Sequence, residues 1–350
     1  MMLDPLLDFV RGKAVTIPPM DGPLRPNNAL EDAGVLLTYE SPDNLVSSGE
    51  QLLFSSGGNL ISLEDGKVIA SFESSITALA ADGRGGIAIG LETGRIEMQG
   101  KERSALDGFN CPVALLFDGP EELYVCNGSD IHRPSMWVSD LMGKHAKGSV
   151  WHVSLVTGER RCLARDLAFP FGVAVDKANA RLIVSESWRH RLIGIPLSGG
   201  AAIPLLSKLP GYPARLSPRQ GGGLLLSLFA PRNRLIEFVL LEDDYRAAMM
   251  SEIDSRYWIA PSLSASRNFL EPLQSGGVKT MGIHKPWSPS RSWGLVVELD
   301  ANLQPLASYH SRANGTRHGI TSAVEYGEGI VAASKGGDAV LRVQRTGENL

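Results

Sequence analysis

Cysteine is scarce in this chain. Three stand in 350 residues, Cys111, Cys126 and Cys162. An odd count without metal-site spacing argues against a disulfide framework or a zinc finger, and fits a reducing compartment, the cytoplasm. No hydrophobic run approaches the roughly 20 residues of a membrane-spanning helix. The opening MMLDPLLDFVRGKAV is apolar, but it carries Asp4 and Asp8 and no basic lead. It reads as a short amphipathic helix packed on the fold rather than a signal peptide. Charge of one sign is also missing: 34 basic residues balance 38 acidic ones, for a net charge of −4, with no long run of either. A nucleic-acid or membrane surface would need a basic patch, so neither is expected as a partner. There is no GxGxxG between strand and helix, no GxxxxGK[ST] and no GxSxG elbow. The triplet Gly221–Gly223 reads as a turn, not a phosphate cradle. His132, His145 and His284 show no i, i+4 zinc spacing.

Glycine and proline are plentiful, with 38 and 21 copies, about a sixth of the chain. Hydrophobic residues make up 43%, enough for a packed core, so the turn formers punctuate many short strands rather than disorder. The stretch Gly148–Leu197 shows the pattern best. Ser149–Leu155, Gly172–Asp176, Arg181–Ser185 and Arg191–Leu197 are short apolar runs with rough alternation. Thr157-Gly158 and Lys177–Asn179 supply turns. A four-stranded unit of about 40–45 residues has the size of a β-propeller blade. The same rhythm starts at Ser41, Ser74, Asn110, Phe169, Gly211 and His318. Six copies predict an all-β fold, a six-bladed β-propeller over residues 41–350, preceded by an entry segment over 1–40.

Two stretches break the rhythm, 128–147 and about 242–291. The second includes EDDYRAAMMSEIDSRYW, where Tyr245, Ala248, Met249 and Ile253 have helical spacing. It predicts a helical and loop insertion in the fifth blade. Long excursions of this kind are either functional lids or covers over one end of the fold. Trp137, Trp258, Trp287 and Trp293 are candidates for an apolar vestibule, with His284 and Lys285 near a ligand if the loops fold over the channel.

The pieces DLMGKHAKGSVWHVSLVTGE, LAFPFGVAVD, LIVSESWRHRLIGIPL, LPGYPARLSP and TSAVEYGEGIVAAS resemble, in this order, the strictosidine synthase-like family. That family belongs to the six-bladed propeller group with gluconolactonase, regucalcin and paraoxonase. The resemblance implies an active site in the central channel, at the starts of the innermost strands. Carried over, those positions are Asp43 and Asn44, Ser75 to Thr77, Asn110 to Val113, Phe169 to Phe171, Tyr212 to Arg215, and His318 to Thr321. Hydrolytic relatives hold calcium or another divalent ion there with several oxygen ligands. Here Phe171 replaces the expected asparagine, and Ala214 and Arg215 replace an Asp-Asn pair. Asp43, Asn44 and Asn110 remain as a degenerate calcium set. The synthases use a glutamate whose place falls at or near Thr321, with Glu325 four residues on.

The candidate catalytic residues are therefore His318, Asp43 and Thr321. His318 would act as general base if Asp43 or Glu186 oriented it. Arg215 and Tyr212, with Phe171 and Cys111, are the candidate substrate-binding residues. Arg215 would face an acidic group, and Cys111 would be a nucleophile only if it faced His318. The leading expectation is a small-molecule hydrolase of ester or lactone type acting in the channel. The alternatives are a non-catalytic propeller that binds a small ligand or a protein, and a Pictet–Spengler-type synthase.

Overall fold

The computed structural model describes residues 17–100, 105–266, 268, 270–271, 279–280, 283–284 and 290–345. The expected N-terminal helix, Lys285 and Trp287 lie outside the described residues. Six antiparallel sheets are arranged as blades. Their first strands are Asp43–Ser48, Ile76–Ala81, Pro112–Phe117, Pro170–Asp176, Gly211–Pro218 and Ile320–Tyr326. Each first strand touches the first strand of the next blade, and the sixth touches the first, so the ring closes around a central channel. The six-bladed propeller expected from the repeats is the observed fold.

Strand spacing was read correctly, but blade grouping was not. The strand Gly148–Ser154 is the third of blade 3, whereas Pro170–Asp176, Arg181–Glu186 and Arg191–Pro196 are the first three of blade 4. The unit read at Gly148–Leu197 thus straddles two blades. Alternation reports that a segment is a half-buried strand, not which sheet it joins. Blade 6 takes its outermost strand, Gly34–Thr38, from the beginning of the chain. It pairs with Ala339–Val343 and closes the circle.

The fifth blade is interrupted between Leu224–Pro231 and Leu295–Leu299. Among the described residues two helices occupy this gap, α2 (Arg234–Leu241) and α3 (Asp243–Glu252); α1 (Trp137–Met142) lies in the earlier irregular stretch. The run RNRLIEFVL, which precedes the insertion expected from about 242, forms α2. Its apolar residues fit either period. Asn233 decides the outcome: its side chain accepts from the Leu235 amide at 2.8 Å and caps the helix. Ile236 and Val239 then share the buried face.

Candidate functional site

One residue meets every blade at the channel axis. Arg215, on the first strand of blade 5, sends its guanidinium across the channel. Its Nη1 donates to Asp43 Oδ1 at 2.6 Å (blade 1) and to the Thr321 carbonyl at 3.5 Å (blade 6). Its Nη2 donates to the carbonyls of Thr77 at 2.8 Å (blade 2) and Val113 at 3.1 Å (blade 3). The Phe171 ring of blade 4 lies 4.9 Å from Cζ, within cation–π range. Gly172 permits this: a Cβ there would lie 2.4 Å from the Ala214 carbonyl and 2.8 Å from the Arg215 Cα. Blades 4 and 5 can approach only because that position has no side chain.

Arg215 lines two cavities, one towards each end of the channel. The first, of about 320 Å³, has a polar floor and an aromatic wall. The floor holds Asp43, Thr77, Thr321, Arg215 and Lys335. The wall holds Phe169, Phe171, Trp188, Phe229 and Trp137. Phe169 and Trp188 stack at 4.4 Å, and Trp137 lies 6.1 Å from Trp188 and edge-on to Phe229 at 5.4 Å. The two irregular stretches reach the rim through Pro134, Ser135 and Trp137 and through Leu263.

The wall is braced from behind. Asp140 of α1 is buried, accepts from Trp188 Nε1 at 2.8 Å and from Ser129 Oγ at 2.5 Å, and lies 3.2 Å from His132 Nδ1. Glu186 is fully buried between Arg189 and Arg191, at 2.6 and 2.5 Å, and accepts from the Ala168 amide at 2.8 Å. That contact fixes the turn into Phe169, whose φ of +59° is unusual for a bulky residue.

Asp43 is the buried anion of the floor. Its Oδ1 accepts from Arg215, from Thr321 Oγ1 at 2.7 Å and from the Asn44 amide at 2.8 Å; Oδ2 accepts from Lys335 Nζ at 2.8 Å. Burial alone would raise its pKa. The charges of Arg215 and Lys335, with hydrogen bonds from Lys335 and Thr321, overcome burial and hold it well below the carboxylate range.

These contacts bear on calcium. The Asp43 carboxylate is engaged by two cations. Asn44 donates through Nδ2 to Ser55 Oγ at 2.8 Å and keeps its Oδ1 buried with no hydrogen-bond partner, while Asn110 Nδ2 donates to the carbonyls of Ser129 and His132. The described residues hold no cluster of three acidic, His or Cys side chains suited to a metal ion. A hard dication needs several free oxygen ligands converging, and two cations already hold the one carboxylate of this set, so it does not fit one.

Of the catalytic candidates, the structure joins Asp43 and Thr321 and leaves His318 apart. His318 is buried and not among the cavity's lining residues. Its Nδ1 lies 2.7 Å from Ser292 Oγ and its Nε2 2.6 Å from the Arg312 carbonyl, and burial lowers its pKa. The geometry assigns the proton to Nε2. Neither nitrogen is left for a substrate.

Among the binding candidates, Arg215 and Phe171 are in the cavity, whereas Tyr212 and Cys111 are not. Tyr212 is packed between His190 and Phe229. The Cys111 thiol is fully buried, and burial pushes its pKa far up. It packs with Val113 and Phe169 behind the wall. Trp258 and Trp293 are buried in core clusters. Glu325 lines the opposite cavity, where it is bound by Arg345 and by the Gln220 amide at 2.5 Å.

Lys335 and Glu92 are cavity residues that the sequence reading passed over. Each stands immediately after the second strand of its blade, Gly329–Ser334 and Ile87–Leu91 respectively. The second-strand exits face the same mouth as the first-strand starts, so the repeat rhythm carried that signal. Glu92 accepts from the Ser135 amide and hydroxyl, at 3.0 and 2.6 Å, and ties the rim loop to blade 2.

No protein-family model matches the chain. A curated relative, strictosidine synthase-like 6 of Arabidopsis thaliana, is 25% identical over 243 residues. The match covers 67% of this chain and 55% of that protein, so the chain spans little more than half the length of the curated relative it matches. Among solved structures, a calcium-binding protein, regucalcin, from Agrobacterium tumefaciens superposes with a TM-score of 0.54 at 10% identity, covering 89% of this chain and 92% of that one. A gluconolactonase from Xanthomonas campestris gives 0.53 at 13% identity, covering 95% and 98%. At these identities the structural matches establish the fold alone. The resemblance read from the sequence holds: this chain is a six-bladed propeller similar to the strictosidine synthase-like proteins, with gluconolactonase and regucalcin as neighbours in fold.

Proposed function

We propose that the protein binds a small, flat, largely apolar molecule bearing an acidic group, in the cavity between Arg215 and the two irregular stretches. The observation that carries this reading is the placement of Lys335 opposite the aromatic wall. Its ammonium has Asp43 as its ion-pair partner, and its side chain remains 32% exposed. An ammonium has three donors, so two are left to serve a ligand. The sequence reading gave that role to Arg215, but both of its Nη groups are committed to Asp43 and to backbone carbonyls. The rings of Phe171 and Trp188 offer the ligand a flat apolar surface. The buried free thiols of Cys111 and Cys126 fit a reducing, cytoplasmic setting.

The test is calorimetry with aryl carboxylates against their neutral amides. Carboxylates should bind at least about tenfold more tightly, the worth of a charged hydrogen bond, and Lys335→Met should erase the difference. Equal affinity for acid and amide in the unaltered protein would sink the proposal.

Ester or lactone hydrolysis is the second reading. What favours it is the meeting of Asp43, Thr321 and Lys335 on one floor. Turnover of aryl esters or lactones that disappears in Asp43→Asn would support it.

A further inference from the structure

The oxygen atoms around Arg215 form a cradle for a cation. A carboxylate oxygen of Asp43 and the carbonyls of Thr77, Val113 and Thr321 come from four blades and converge on one guanidinium. Carbonyls and carboxylates are hard donors, the kind that surround a dication. The backbone carbonyls at the starts of three inner strands cannot turn away, because their strands are fixed by sheet pairing. Left empty, such a cradle would leave a buried carboxylate and several carbonyls facing one another across the axis. That arrangement is costly without a positive charge.

We propose that Arg215 is a built-in cation: its guanidinium fills this cradle permanently, joins the six blades at the axis, and excludes a divalent ion. Two features of the guanidinium suit it to the task. It is planar, so its Nη groups reach opposite sides of the channel, and its face remains free to lie against Phe171. Burial lowers its pKa and the Asp43 charge opposes that, but a guanidinium starts so far above neutral that it stays charged in the cradle. A guanidinium also blocks the passage, so the two cavities are separate compartments with Arg215 as the partition. The ligand reading above needs only one of them. Its own tests, at Lys335, leave Arg215 intact, so either idea can fail without the other.

Calcium titration followed by thermal unfolding tests the proposal on the full chain. The unaltered protein should show no calcium-dependent shift at constant ionic strength. Arg215→Ala should lower the unfolding midpoint by roughly 5–10 °C, as expected for an uncompensated buried charge in a protein of this size. Low millimolar guanidinium should restore part of that loss in the variant and do nothing for the parent. Arg215→Asp replaces the resident cation with a further oxygen donor. It should acquire calcium, with a midpoint that rises with calcium concentration as ligand linkage requires. Stoichiometric calcium in the unaltered protein would overturn the proposal. So would a folded Arg215→Asp protein that ignores calcium together with a folded Arg215→Ala protein that ignores guanidinium. If neither variant folds while the parent is indifferent to calcium, the side chain is the structural cation proposed.

Discussion

At the scale of single residues, the cavity depends on which charges are already committed. Asp43 spends both oxygens on protein donors, and Arg215 spends both Nη groups on protein acceptors. Removing Asp43 therefore frees two cations in a buried place. Asp43→Asn should cost about 3 kcal/mol or more in urea unfolding at neutral pH, because it leaves Arg215 without its carboxylate. The loss should shrink in acid. A folded pKa below the unfolded one means the carboxylate's contribution is complete above the ordinary carboxylate range and fades as pH falls beneath it. A parent-to-variant difference that stays constant from pH 7 to pH 3 would contradict this assignment. Much of this floor was legible in the sequence. Asp43, Thr77, Val113, Phe171, Arg215 and Thr321 all fall in the lead-ins carried over from the family resemblance. What could not be read was direction. His318, Tyr212 and Cys111 occupy the same lead-ins but turn into the packing between blades. A one-residue step along a strand reverses the side chain, and the bulges recorded near these starts shift the register further.

At the scale of elements, local sequence settled most strands and left the excursions ambiguous. Short apolar runs recurring at blade spacing between turns read as strands even where Val and Ile are few, as in Asp43–Ser48 and Gly211–Pro218, so the six inner strands were found from the rhythm. The segment that became α2 has no such bias, and its type rests on the Asn233 cap and on a buried anchor. That anchor is Glu237 of α2, paired with Arg232 at 3.0 Å through both oxygens and with His190 of blade 4 at 3.2 Å. Burial would raise the Glu237 carboxyl, but His190 and Arg232 bring it down to about 2. Glu237→Gln should therefore loosen α2 from blades 4 and 5. Hydrogen exchange should show faster amides across 234–252 and unchanged protection in blades 1 and 2, because the insertion is a separate unit of local stability. Uniform loss of protection across all blades would mean that α2 is part of the ring's cooperative core.

At the scale of the whole molecule, the ring is held shut by its beginning. Asn27 accepts from the His310 amide at 3.0 Å and donates to the Ser308 carbonyl at 2.8 Å, and the Leu30 amide donates to the His310 carbonyl at 2.9 Å. The chain then crosses from blade 5 to supply Gly34–Thr38 to blade 6. His310 lies beneath this crossing, fully buried, with Nε2 2.8 Å from Ser308 Oγ and no partner at Nδ1. Burial lowers its pKa to about 4, and burial also lowers those of His318, in the turn entering blade 6, and His190. In each case the unfolded chain takes up a proton at a pH where the folded ring does not. These groups therefore favour the folded state fully above pH 6.5, and their contribution declines as pH falls below that, for His310 over the window from about 6.5 to about 4. For His310 alone the loss is about 3 kcal/mol across that window. Urea midpoints should fall steadily from pH 7 to pH 4.5. His310→Phe should flatten the slope, since a neutral ring keeps most of the contact with Trp293, 4.9 Å away. A slope unchanged in that variant would mean that the crossing opens before His310 takes its proton. Deleting residues 1–38 would then be the sharper probe: with the closing strand gone, blade 6 keeps three strands and an exposed edge, and the share of the acid sensitivity that His310 carries should vanish along with most of the ring's cooperativity, leaving the shares of His318 and His190.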